Sequence, residues 1–200
     1  VKYGLTFLFV QSEFGLCCPL SMTDSLTRTL TKFGDKKLIE KFFDQLTSQD
    51  LDHLFQGAMF MTEQHAGSDV GSIDTYAEYE DGNWFLTGDK WFCSNPDADL
   101  AMVLARHNKK ISGTKGLALF LLPKKLENGD LNNYEIIRLK DKLGGRSFAS
   151  GEIKLNRAFA YLVGNPDEGF KQMTDMINMS RLSNGVRASG ICLLYTSPSP

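Results

Sequence analysis

The chain has 200 residues, 42 % of them hydrophobic, 11 % aromatic and 23 % charged, the proportions of a globular chain that buries a core rather than of a disordered one. Its 22 Lys and Arg against 24 Asp and Glu give a net charge of −2, which leaves no electrostatic footprint for nucleic acid. The apolar runs, such as Phe7 to Val10 and Leu117 to Leu122, fall far short of the roughly 18 residues of a membrane-spanning helix, and no signal peptide shows.

Residues 1 to 58 read as helical. Leu5 and Phe7 to Val10 are too hydrophobic all round for a surface helix, and Gly15 with Pro19 interrupts the run. Ser21 or Thr23 can cap a second helix, on which Leu26, Leu30 and Phe33 share a face before Gly34 stops it. A third, Lys36 to Leu46, places Leu38, Phe42, Phe43 and Leu46 together.

The period changes near Met59. Thr75 to Glu80 and Asn83 to Thr87 are strand-like, and Asp81-Gly82 between them is a two-residue hairpin signal. Strand-length runs follow at 101–106, 117–122, 134–139 and 152–155, which predicts an antiparallel barrel or sandwich. From about Asp167 the pattern is helical again, with Phe170, Met173, Ile177, Leu182 and Val186 on one face. The expected organisation is α+β: residues 1–58 as part of a helical domain, 59–160 as a middle β domain, and 161–192 as the start of a second helical domain. Residues 193–200 read as a truncated or artefactual tail that breaks the last helix, and Val1 in place of methionine also suggests a piece of a longer chain.

Cys17, Cys18, Cys93 and Cys192 lack metal-ligand spacing and read as reduced thiols of an intracellular protein. Two segments could carry chemistry. Met61-Thr62-Glu63-Gln64-His65-Ala66-Gly67-Ser68-Asp69 joins the helical and β zones, with hydroxyls and a glycine suited either to an anionic ligand or to a capped loop. Gly88 to Pro96 follows the hairpin. Its Trp91 and Phe92, with Ser94 close by, suit either the wall of a planar cofactor or the filling of a barrel. His65 reads as a loop histidine, His53 and His107 as surface residues, and Arg138, Lys140, Lys142 and Arg146 as a solvated basic face.

Together the two segments resemble the acyl-CoA dehydrogenase family, with its M-T-E-x-x-x-G-S-D stretch followed by G-x-K-W-[IF]-[TS], here Gly88 to Ser94 with Cys93 before the hydroxyl residue. Leu139 to Ser147, the Gly164 to Phe170 turn and Cys18 to Thr23 are similar to the alkylation-response (AidB) branch of that family. The resemblance covers the chain to about residue 190. It implies FAD held between the β domain and the helices, with Met61, Thr62, Glu63, Ser68, Trp91, Phe92, Cys93 and Ser94 at the cofactor. Ser68, Asn178 and Arg181 would lie on the substrate side. It further implies α,β-dehydrogenation of an acyl-CoA thioester, with hydride passing to the flavin and electrons to an electron-transfer flavoprotein. A homotetramer in the cytoplasm, or in the mitochondrial matrix of a eukaryote, completes the expectation. The family's base is expected beyond residue 200; where a minority carries it before the arginine matching Arg181, this chain has Ser180, so no catalytic residue is assigned. An alkylation-response flavoprotein associated with DNA, and an acyl-CoA oxidase on the same scaffold, are the alternatives.

Overall fold

The computed structural model describes residues 1–197. Helices α1 (Lys2–Phe9), α2 (Cys17–Phe33) and α3 (Lys36–Leu46) come first. Asp35 caps α3 by accepting a hydrogen bond from the Leu38 amide at 2.8 Å, which fixes its start at the expected place. Helix α2 starts earlier than its hydroxyls suggested. Pro19 sits in its first turn, where a missing N–H costs nothing, and the hydroxyls of Ser21 and Thr23 donate back to the carbonyls of Cys18 and Pro19 instead of capping. Helix α1 departs from expectation more strongly. None of its residues is buried, because it leans on α4 with one side only, and Leu5 and Leu8 are exposed.

Seven strands follow: β1 (Gly57–Phe60), β2 (Tyr76–Glu80), β3 (Asn83–Ser94), β4 (Leu100–Arg106), β5 (Leu117–Pro123), β6 (Tyr134–Leu139) and β7 (Ser150–Val163). The chain turns from β2 to β3 through Asp81 and Gly82, both at positive φ (49° and 83°), the hairpin read from the sequence. Strands β3, β2, β4, β5 and β7 pair in that order, and β3 pairs again with β7, so the sheet closes into a barrel. It is not wholly antiparallel: β4 runs parallel to β1 and, at one point, to β2. Strand β6 lies against β7 at the edge.

Strands β4 and β5 are buried on both faces. Ala101, Val103 and Ala105 with Ala118, Phe120 and Leu122 fill the barrel, the small residues letting its walls approach. The alternate residues Met102, Leu104, Leu119 and Leu121 face outward, where Leu26 and Leu30 of α2, Phe42 of α3, and Met173 and Met176 form a second core. The last two belong to α4 (Gly169–Thr196). Gly169 brings that helix close to β5: a Cβ there would lie 2.4 Å from backbone atoms of Ala118. Helix α4 continues through Tyr195 and Thr196, past the expected break; residues 198–200 lie outside the described residues. Asp175 on α4 reaches Lys32 at 2.8 Å and Arg28 at 3.7 Å and ties α4 to α2. Among the described residues no helix is long and apolar enough to cross a membrane.

Candidate functional site

The two sequence segments meet at the mouth of the barrel. The Trp91 amide donates to the Thr62 carbonyl at 2.7 Å, and Ser94 pairs with Met59 across β1 and β3. Gly67 stands close enough for a Cβ to touch the Thr62 methyl at 4.0 Å, which brings the Ser68 loop beside the same residue.

A bulge in β3 gives the site its shape. Lys90 pairs with Ile153 and Cys93 with Gly151, so three steps of β3 run against two of β7. Phe92 takes up the extra residue at φ 57°. As a result Trp91 is half-buried and Phe92 is 56 % exposed, their rings 6.2 Å apart and nearly perpendicular, while Lys90 and Cys93 on either side point inward.

Beneath that face lies a buried ion pair. Lys90 Nζ is 2.8 Å from Glu63 Oε1, with side-chain exposures of 0 % and 4 %. Glu63 also accepts from the amides of Asp74 (2.7 Å) and Thr75 (3.1 Å), and Lys90 donates to the Met61 carbonyl at 3.3 Å. Burial alone would raise the Glu63 carboxyl, but Lys90 and the bonds it accepts outweigh that and hold it below its ordinary value. Burial pushes the Lys90 ammonium down, against the opposing pull of Glu63. Cys93 belongs to the barrel core, and burial pushes its thiol up to about 12, so it stays protonated. The Glu63 oxygens are thus engaged within the fold, and the Cys93 thiol is buried in the barrel.

The remaining expected residues are arranged differently. The hydroxyls of Thr62, Ser68 and Ser94 have no hydrogen-bond partner among the described residues; Thr62 and Ser94 are half-buried and Ser68 is exposed. Asn178 and Arg181 are exposed on α4, without an ion pair among the described residues. His65 sits 3.1 Å from Asp74 on the exposed loop. His107, read as a surface residue, is mostly covered, 12 % exposed and 3.6 Å from Asp167.

Sequence reasoning missed Lys90, Lys140 and Glu152. Lys90 stands in the G-x-K-W motif, but only its alternation with Trp91 along a strand tells that it points inward. Lys140 is 9 % exposed rather than solvated, with Nζ 3.1 Å from the Trp91 ring centre and 2.8 Å from Glu152. The signal for this group lay in two cations, Arg138 and Lys140, on one side of β6, with Glu152 opposite Arg138 on β7.

The arrangement suits a flat ring with polar atoms on its edge: an aromatic wall turned out of the barrel, and half-buried hydroxyls left unpartnered beside it. Residues 58–158, about half of the chain, match the family described as "Acyl-CoA dehydrogenase, middle domain". The chain is 38 % identical over 193 residues to acyl-CoA dehydrogenase family member 11 of Caenorhabditis elegans, covering 92 % of this chain and 31 % of that protein. It is 37 % identical over 183 residues to the putative acyl-CoA dehydrogenase AidB of Escherichia coli, covering 87 % of this chain and 33 % of that one. Its backbone matches the crystal structure of Caenorhabditis elegans ACDH-11 in complex with C11-CoA at a TM-score of 0.86 and 37 % identity, over 94 % of this chain and 33 % of that one. The chain thus spans about a third of the length of these relatives. From the bulged aromatic wall to the whole barrel-and-helix layout, the chain belongs to the acyl-CoA dehydrogenase family.

Proposed function

We propose that this chain is the flavin-holding portion of an FAD-dependent acyl-CoA dehydrogenase, and that the face made by Thr62, Trp91, Phe92 and Ser94 receives the flavin ring. The observation that carries the reading is the Thr62–Trp91 backbone bond, which joins both segments behind one face whose hydroxyls have no partner among the described residues. FAD, when bound, supplies the acceptor for the hydride that leaves the β carbon of the acyl thioester.

Thr62 and Ser94 donate hydrogen bonds to the ring where negative charge gathers on reduction, stabilising the reduced state more than the oxidised one. Trp91 and Phe92 cover the ring and exclude water. Ser68 offers its hydroxyl to the phosphates or the acyl-CoA. Asn178 and Arg181 face the substrate from α4. Ser180 cannot take the α proton, and no residue of this chain is assigned that task.

An apolar cavity of about 380 Å³ between α1, α2 and α4, lined by Cys17, Leu20, Met179 and Ser183 among others, receives the acyl tail. In support, the ACDH-11 structure similar to this chain was solved with C11-CoA. Family membership supports a homotetramer that passes electrons to an electron-transfer flavoprotein.

The full-length protein is expected to purify with a flavin absorbance band that bleaches when acyl-CoAs are added without oxygen. A protein that takes up no FAD overturns the flavin reading. A bound flavin that no acyl-CoA bleaches overturns the dehydrogenase reading while leaving the flavin site in place.

A further inference from the structure

Trp91 leaves the barrel at a bulge, where its own strand gives its ring a near-perpendicular contact with Phe92. Residues from the neighbouring strands add a contact on its π face. Lys140, just beyond the end of β6, places Nζ 3.1 Å from the centre of the Trp91 ring and 4.4 Å from that of Phe92. A cation over an indole face is attracted by the ring's quadrupole, and more strongly when it is shielded from water, as this 9 % exposed side chain is.

The ammonium is itself held. Glu152 of β7 accepts from Lys140 Nζ at 2.8 Å and from Arg138 Nε at 2.9 Å on the same oxygen. The Lys140 amide donates to the Ser150 carbonyl at 2.8 Å, which anchors its backbone to the same strand. Burial would raise the Glu152 carboxyl, and the bonds from Lys140 and Arg138 outweigh it, keeping the anion that pins the lysine. The Trp91 ring is thereby fixed from one side by groups on two strands other than its own.

We propose that Lys140, pinned by Glu152, is a positioning residue that clamps Trp91 by its π face and so presets the aromatic wall for the flavin ring. The proposal rests on the reading of that face as the flavin site. Preset geometry removes the ordering of a half-buried ring from the cost of binding, so losing the clamp weakens FAD binding.

The test uses the full-length protein labelled with 5-fluorotryptophan, its Trp91 fluorine resonance identified by its loss in Trp91→Phe. In the FAD-free protein, Lys140→Met shifts that resonance and Lys140→Arg, which keeps a cation over the ring, leaves it near the wild-type position. FAD affinity falls on the order of tenfold in Lys140→Met and recovers in Lys140→Arg. A Trp91 resonance unmoved in Lys140→Met overturns the clamp, as does a moved resonance with unchanged FAD affinity. Addition of FAD to the wild type separates this from the underlying reading: a Trp91 resonance that ignores bound FAD removes the flavin from this face, and the preset role falls with it. A resonance that responds to FAD but not to Lys140→Met keeps the flavin there and overturns only the clamp.

Discussion

Residues 61–63 and 88–94 build two layers with opposite physical character. In the inner one, Glu63, Lys90 and Cys93 are buried, each oxygen of the carboxylate is bonded, and the ammonium is neutralised. In the outer one, Thr62, Trp91, Phe92 and Ser94 are open or half-open, and the two hydroxyls have no partner among the described residues. Polar groups that are satisfied internally hold a fold, whereas those left free at a dry rim are available to a ligand. The same seven-residue strand segment serves both because alternation sends Lys90 inward and Trp91 outward, and the bulge adds Phe92 to the outer set.

The contrast is broken most severely from below. Lys90→Met leaves a buried carboxylate without its cation, and the expected loss is about 3–5 kcal/mol in urea unfolding. Adding Glu63→Gln to Lys90→Met removes the orphaned charge and recovers part of that loss. A cost below about 1 kcal/mol for the single variant would show that the pair does not lock the layer.

The same pair sets a pH signature. The folded Glu63 carboxyl is held below its unfolded value of about 4.3, so its contribution is complete above that pH and is lost as pH falls through the lower folded value. The stability gap between wild type and the double variant Lys90→Met with Glu63→Gln, which leaves no orphaned charge, is therefore expected to be flat around neutrality and to close only in acid. A gap that closes between pH 8 and 6 would contradict this.

Variants of the outer layer are expected to act on the proposed flavin site and not on the fold. Thr62→Ala with Ser94→Ala is expected to slow flavin reduction on the order of a hundredfold, the scale of losing a preorganised donor, with unfolding changed by less than about 0.5 kcal/mol. Unchanged binding and reduction in stopped-flow experiments would remove both roles. Further out, Met179→Trp narrows the cavity between α1, α2 and α4. It is expected to raise KM for long acyl-CoAs about tenfold while sparing short ones, and an equal rise for all lengths would place the acyl tail elsewhere.

What the sequence showed and hid follows the same two layers. Helix α3 was legible because its apolar residues recur at helical spacing, and the Asp81-Gly82 hairpin because turn chemistry acts within four residues. Strand β1 was hidden because four residues carry no period, and α1 misled because the sequence carries its apolar residues but not the number of neighbours that cover them. In the site, the motif residues were legible as types, but which of them face inward was not. Glu63 stood in the expected contact set although its oxygens are used within the fold, and Lys140 was read as solvated although it lies on Trp91. Both surroundings were hidden for one reason: a charged residue's partner stood 12 to 49 positions away, as with Thr75 for Glu63 and Trp91 for Lys140, beyond the reach of any local pattern.

Phe92 separates the layers with the smallest expected effect. At φ 57° its backbone occupies a region that costs an L-residue about 1–2 kcal/mol and glycine little. Phe92→Gly relieves that strain, but it adds about 0.5–1 kcal/mol of backbone entropy to the unfolded chain and gives up the ring's partial contacts. These terms offset, so thermal and urea unfolding are expected to agree with the wild type within about 1 kcal/mol. FAD binding is expected to weaken nonetheless, because half of the aromatic wall is gone. A loss of 3 kcal/mol or more on unfolding would place Phe92 with the inner layer, as a core residue at an unusual φ. A stability near wild type with weakened FAD binding would mean that the strain is tolerated at this position because it turns the ring toward the ligand.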